Sequence, residues 1–269
     1  MTEQTESRRK NMNRCIGAQY YTIRECVTDI ESFDVACKRV ADIGYKIVQI
    51  SNMPLEAKEM REVLDKHGLK VVVSHRKFAD FLSNLDEVID YNKTLGCDVC
   101  GVGMTPYEYV EDNETVSAYI KEINRICDVL QAENMYFGCH NHTMEFAKFQ
   151  GKMVMERFLE EINPEAFSVI ADTYWLQMGG QTPHEWLRKY GKQVKIVHFK
   201  DLAINPQEYR TPLITEVGNG NLDWDAIIKA CDDAGVEWAI VEQDRNHIDN
   251  DPFKALTISY DFLKTKGFY

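Results

Sequence analysis

Short β-branched apolar runs alternate with longer stretches of helical periodicity along the 269 residues, and one punctuation recurs between them. "ADIGYKIVQI", "DKHGLKVVVSH", "KTLGCDVCGVG", "RKYGKQVKIVHF" and "DDAGVEWAIVEQ" each show a charged helical tail, a glycine, and then an apolar run. Glycine just past a helix end accepts the left-handed backbone that strains other residues, so Gly44, Gly68, Gly96, Gly191 and Gly235 are expected helix caps. Asn134 in "QAENMYFGCH" can take the same conformation, and Pro164 supplies the stop in the unit that lacks a glycine.

This punctuation predicts strands near 14–21, 46–50, 70–74, 98–103, 135–140, 167–172, 194–199 and 238–242. It predicts helices near 32–43, 54–67, 85–95, 116–133, 153–162, 183–190, 224–234 and 251–264. The strand runs are apolar throughout rather than at every second position, as in a parallel sheet buried on both faces. Eight such units in a chain close to the roughly 250 residues of one eightfold barrel predict an α/β fold, a (β/α)8 barrel spanning residues 14–269 as a single domain. The polar segment 1–13 reads as a flexible amino-terminal arm. An open doubly wound sheet is the alternative, but no strand runs into a G-x-G-x-x-G turn.

Four of the runs stop at residues able to bind metal or move protons. "YFGC" ends at His140, "SVIA" at Asp172, "VKIV" at His198 and "WAIV" at Glu242. Parallel strands of one barrel bring their carboxyl ends to a single mouth, where these side chains would share a cation. Two of them have plainer individual readings: His198 as a hydrogen-bonded core histidine, Asp172 as the cap of the next turn. Glu242 resists one, because a carboxylate ending a buried strand needs a counter-charge or donors.

Composition narrows the partners. Acidic residues outnumber basic ones 43 to 31, a net charge of −12 that repels phosphate backbones and anionic lipid surfaces, so neither nucleic acid nor membrane is expected as a partner. Eight cysteines without a signal peptide point to a reducing compartment, the cytoplasm, and most of them fall in expected strands or helices as small apolar filler. Cys97 and Cys100 form a single C-x-x-C inside an expected strand, without the second pair of a zinc site.

"GAQYYTIRE" (17–25), "GLKVVVSH" (68–75), "HNHTMEF" (140–146), "DTYW" (172–175), "VHFKD" (197–201), "EVGNGNLDW" (216–224) and "VEQD" (241–244) together resemble the sugar phosphate isomerase/epimerase family of the xylose isomerase-like barrel superfamily, in order and over nearly the whole chain. The resemblance implies one divalent cation at the carboxyl mouth, manganese first among magnesium, cobalt and zinc. It implies a small-molecule sugar or sugar derivative as substrate. The reaction it implies is isomerisation or epimerisation by proton transfer next to a sugar carbonyl through a metal-bound enediolate. A lyase, dehydratase or deglycosylating enzyme on a 3-keto-sugar or keto-inositol is the alternative outcome of the same chemistry. Carried over, the metal ligands fall on Asp172, His198 and Glu242, with Glu145 favoured as the fourth by the "HNHxxEF" pattern and His140 its rival by register with the other three. Glu242 with Glu145 or His142 would be the acid/base pair, and Gln19, His75, Trp175 and Lys200 would contact substrate. Barrels of this kind also include endonucleases at abasic DNA, which the acidic balance disfavours, and a homo-oligomer or a smaller partner subunit is compatible with the resemblance.

Overall fold

In the computed structural model, which describes residues 12–206 and 211–269, eight parallel strands close into a barrel. They are β1 (Ile16–Gln19), β2 (Ile47–Ser51), β3 (Lys70–His75), β4 (Val99–Val102), β5 (Tyr136–His140), β6 (Phe167–Asp172), β7 (Val194–Phe199) and β8 (Trp238–Val241). Each pairs with its neighbours in sequence, and β8 closes on β1 through the register Ile16–Ala239. The expected arm lies outside the described residues except for Met12, which is buried, and Asn13, whose N–H donates to the Glu237 carbonyl.

Helices follow the strands as the periodicity predicts, from Ile30–Ile43 to Pro252–Thr265. Gly96 and Gly235 end theirs in the left-handed region at φ 75°, and Asn134 adopts φ 57°. Gly191 does not: its φ is −61°, and it opens a 3-10 turn, Gly191–Gln193. Its glycine has another cause, since a Cβ there would stand 2.4 Å from that of Ala234. The first strand is also shorter than expected, because Tyr20–Cys26 turns into a 3-10 helix at the mouth. Two short helices, Phe78–Ser83 and Thr173–Met178, have no counterpart in the pattern; each leads off a strand end ahead of the main helix of its unit.

Period-two alternation layers the barrel interior. Ile47, Val73, Val99, Ile170, Ile196 and Ile240 pack together as an apolar plug. Two residues further along the same strands come Gln49, His75, Asp172, His198 and Glu242, all buried, so a polar layer rests on the plug. Gly101 and Gly138 let β4 and β5 approach: a Cβ on Gly101 would lie 1.8 Å from the Gly138 carbonyl oxygen. Two small antiparallel ribbons decorate the mouth, Lys148–Phe149 with Lys152–Met153 and Asp201–Ile204 with Pro212–Thr215. No helix among the described residues is long and apolar enough to cross a membrane.

Candidate metal centre

One atom each of His140, Asp172, His198 and Glu242 lies within 4.8 Å of the others, and all four residues are buried. Strand register does this: Asp172 pairs with His198 across β6 and β7, and His198 pairs with Ile240, two residues before Glu242. Asp172 serves both readings of its position. Its Oδ1 accepts from Trp175 N (2.9 Å) and caps Thr173–Met178, while its Oδ2 faces the cluster.

Acceptors outnumber the ring N–H groups where the two histidines meet the two carboxylates. The Gly103 carbonyl can only accept, so His140 donates to it from Nδ1 (2.9 Å); Nε2, 3.2 Å from Asp172 Oδ2, donates to that carboxylate when the ring is protonated and turns a lone pair toward it when the ring is neutral. His198 has acceptors on both sides, Glu242 Oε2 2.8 Å from Nδ1 and Gln49 Oε1 2.7 Å from Nε2. A neutral ring has one N–H for these two contacts. Two imidazole lone pairs and two carboxylates aimed at one another match the mixed nitrogen and oxygen donor set of a divalent cation, with Gly103 and Gln49 as the outer partners that orient the rings.

Lys200 is the resident cation. Its Nζ stands 2.9 Å from Asp172 Oδ2, 3.0 Å from Glu242 Oε2 and 3.2 Å from Asp244 Oδ1. Burial works against the ammonium, but these carboxylates overrule it and hold the Lys200 pKa above its ordinary value. Burial likewise opposes the charged forms of Asp172 and Glu242, and Lys200 leads the interactions that nevertheless hold both below the usual carboxylate range. For His140, burial is overcome by Asp172 and Glu242 and the pKa rises; for His198, burial prevails and it falls.

The remaining expected residues divide. Glu145 is fully buried but outside the cluster: its Oε2 accepts from His142 N (2.8 Å), its Oε1 has no partner among the described residues, and burial raises its pKa. His142 stacks on Trp175 at 4.8 Å between ring centroids and packs edge-on against His140 at 4.9 Å; burial, then His140 and Lys200, push its pKa down to about 3. His75 sits against the Gln49 amide nitrogen, with its ring 5.8 Å from that of His140. Gln19 accepts from Ser51 Oγ (3.0 Å) and Tyr21 N (3.2 Å). Trp175 carries Lys200 Nζ 5.5 Å from its ring centroid. Gln49, Gly103 and Asp244 were missed; Gln49 alone had a signal, a polar residue inside the apolar run "KIVQI".

The loop 216–223 is held from below. Asp201, fully buried, accepts from the N–H groups of Gly218 (2.9 Å) and Gly220 (3.1 Å) and from Trp224 Nε1 (2.7 Å), so those amides face a carboxylate rather than the cavity. Cys97 and Cys100 are buried with thiol pKa values pushed up by burial, Cys97 to about 12, which opposes thiolate chemistry.

Above the cluster opens a cavity of about 570 Å3, reached by His75, His140, His142, Lys200 and Glu242. A larger one, about 720 Å3, lies at the amino end of the barrel among Tyr136, Val194 and Trp238, remote from every candidate group.

A closed parallel barrel with a His/Asp/His/Glu cluster at its carboxyl mouth defines the class. The profile of the xylose isomerase-like TIM barrel matches residues 37–266, and the chain belongs to that family. It is similar to the inosose dehydratase of Geobacillus thermodenitrificans, 22% identical over 87% of this chain and 89% of the relative. In fold it resembles a sugar phosphate isomerase/epimerase from Parabacteroides distasonis, with a TM-score of 0.77 and 21% identity over 97% of this chain and 96% of the other. It also resembles the D-allulose 3-epimerase of a Methylomonas species, with a TM-score of 0.69 and 14% identity over 96% and 98%.

Proposed function

We propose that the protein is a divalent-metal-dependent enzyme that removes the proton beside the carbonyl of a sugar or keto-polyol and expels water from the next carbon. The reading is carried by the meeting of His140, Asp172, His198 and Glu242, two imidazoles and two carboxylates, at the floor of the mouth cavity. A divalent cation held there supplies a Lewis acid for the carbonyl and neighbouring hydroxyl oxygens, which lowers the cost of the carbanion.

The protein's own groups do the rest. Glu242, which lines the cavity, takes the proton from carbon. Lys200, also in its wall, hydrogen-bonds substrate oxygen from its charged Nζ. Elimination needs only one such carboxylate: Glu242 accepts the carbon-bound proton and hands it to the departing hydroxyl, so the net loss is water. Epimerisation needs a second acid/base on the opposite face, and Glu145 has its carboxylate turned to the His142 amide. The similarity to inosose dehydratases supports the same outcome.

Isomerisation or epimerisation keeps one specific support, since His142 lines the same cavity as Glu242 and could return a proton. Incubation in deuterium oxide with a keto-inositol and with ketoses, with and without chelator, separates the two. Chelator-sensitive loss of water supports the dehydratase reading. Deuterium incorporation with the carbon chain intact supports the isomerase, and neither event with any substrate overturns both.

A further inference from the structure

Away from the cluster the cavity changes character. Its wall also carries Arg24, Arg76, Lys77 and Arg245, and the only Asp and Glu among its lining residues are Glu242 and Asp244, whose carboxylates both face Lys200. In a chain with 43 acidic and 31 basic residues, four cations share this wall, Arg24 and Arg76 each with one carboxylate at its outer edge and Lys77 and Arg245 with none among the described residues, an excess of positive charge that a bound anion relieves.

Arg24 is held in place mainly by carbonyls, with only a solvent-screened carboxylate beside it. Its guanidinium donates to two carbonyls, Tyr21 O (2.7 Å) and Asp244 O (3.1 Å), and lies 4.2 Å from the Tyr21 ring centroid; the nearest carboxylate, Glu25 at 3.7 Å, is almost wholly in solvent. Arg76 stacks on Tyr91 at 4.6 Å, with Asp80 3.3 Å from its Nε but out of hydrogen-bonding alignment. Lys77 and Arg245 are exposed and pair with no carboxylate among the described residues. A guanidinium fixed through its own N–H groups and stacked on an aromatic ring is pre-organised for an oxyanion.

We propose that the outer half of the cavity is an oxyanion subsite, so that the substrate carries a carboxylate or phosphate at the end away from the reacting carbon. The inference rests on the proposed reaction for the substrate's position, and it adds a charge that a neutral keto-inositol or ketose lacks. Either oxyanion satisfies the same wall.

Calorimetric titration of the metal-loaded protein with paired ligands tests it, D-fructose against D-fructose 6-phosphate and D-tagatose against D-tagaturonate. At least one acidic ligand binds at least tenfold more tightly than its neutral partner, the preference shrinks with added salt, and the better arm names phosphate or carboxylate. Lys77→Ala with Arg245→Ala removes most of that preference while metal stoichiometry and neutral-ligand affinity stay unchanged; Arg24→Gln does so independently. Equal affinities, no binding by either partner, or a preference that survives these substitutions because the anion sits on the metal would overturn the subsite. Turnover of a neutral substrate with no acidic preference removes this inference and leaves the reaction standing; an acidic preference without turnover does the reverse.

Discussion

His198 Nδ1 lies 2.8 Å from Glu242 Oε2 while the opposite nitrogen of the same ring lies 2.7 Å from Gln49 Oε1. Gln49 therefore fixes which nitrogen is left to face the carboxylate, and it reaches across the barrel from β2 to do so. Outer partners of metal-binding histidines typically contribute about 10–100-fold in affinity. Gln49→Leu is expected to weaken divalent-metal binding by about that factor with the fold retained, measured by calorimetry and circular dichroism. Unchanged affinity would remove Gln49 from the account.

His140 and Glu145 are alternatives for the fourth ligand, and their placement separates them. His140 aims Nε2 at Asp172, whereas Glu145 gives its carboxylate to the amide of His142. His140→Ala is expected to reduce bound metal by at least about 100-fold in affinity, the loss of a direct ligand exceeding that of an outer partner. Glu145→Gln should leave metal content unchanged, as read by elemental analysis. The opposite pair of results would transfer the ligand to Glu145.

Lys200 Nζ lies within 3.2 Å of three carboxylates, those of Asp172, Glu242 and Asp244. Removing one partner of a buried ion pair strands the other charges, at a cost of about 3–5 kcal/mol. Lys200→Met is expected to lower the melting temperature of metal-free protein sharply, and added metal should recover more of the loss than it adds to wild type. Metal affinity itself should rise, because a competing positive charge is gone. A variant as stable as wild type without metal would show that Lys200 does not carry this load.

At the proposed metal site, proton and metal would compete for His140. Its raised pKa, set by Asp172 and Glu242 against the opposing effect of burial, keeps the ring protonated to higher pH than the ordinary 6.5. In metal-free protein its stabilising contribution is fully present below 6.5 and is lost as pH climbs through the raised value. Metal affinity runs the other way and increases with pH over the same window, since ligation requires the deprotonated ring. Titrations between pH 5.5 and pH 8 check both slopes, and a metal affinity independent of pH would contradict His140 as a ligand.

Much of the molecule was legible in the sequence because barrel units carry strong local signals. Helix-ending glycines and Asn134 marked most boundaries, and apolar runs that stop at His140, Asp172, His198 and Glu242 marked the mouth. The misses share a cause. Gly191 is small because a neighbouring helix passes 2.4 Å from where its Cβ would be, a tertiary constraint that looks identical to a cap in one dimension. Gln49 and Gly103 act on rings carried by other strands, so the polar break that Gln49 makes in "KIVQI" did not name its partner and Gly103 left no local mark. "HNHxxEF" suggested Glu145 by spacing, but the 3-10 turn Met144–Phe146 folds that carboxylate back onto its own loop.

The most direct measurement is diffraction at the absorption edge of manganese from crystals soaked in that ion. One anomalous peak per chain is expected, within direct bonding distance of donor atoms of His140, Asp172, His198 and Glu242. A peak on Glu145 instead, or an empty mouth at saturating metal, would contradict it.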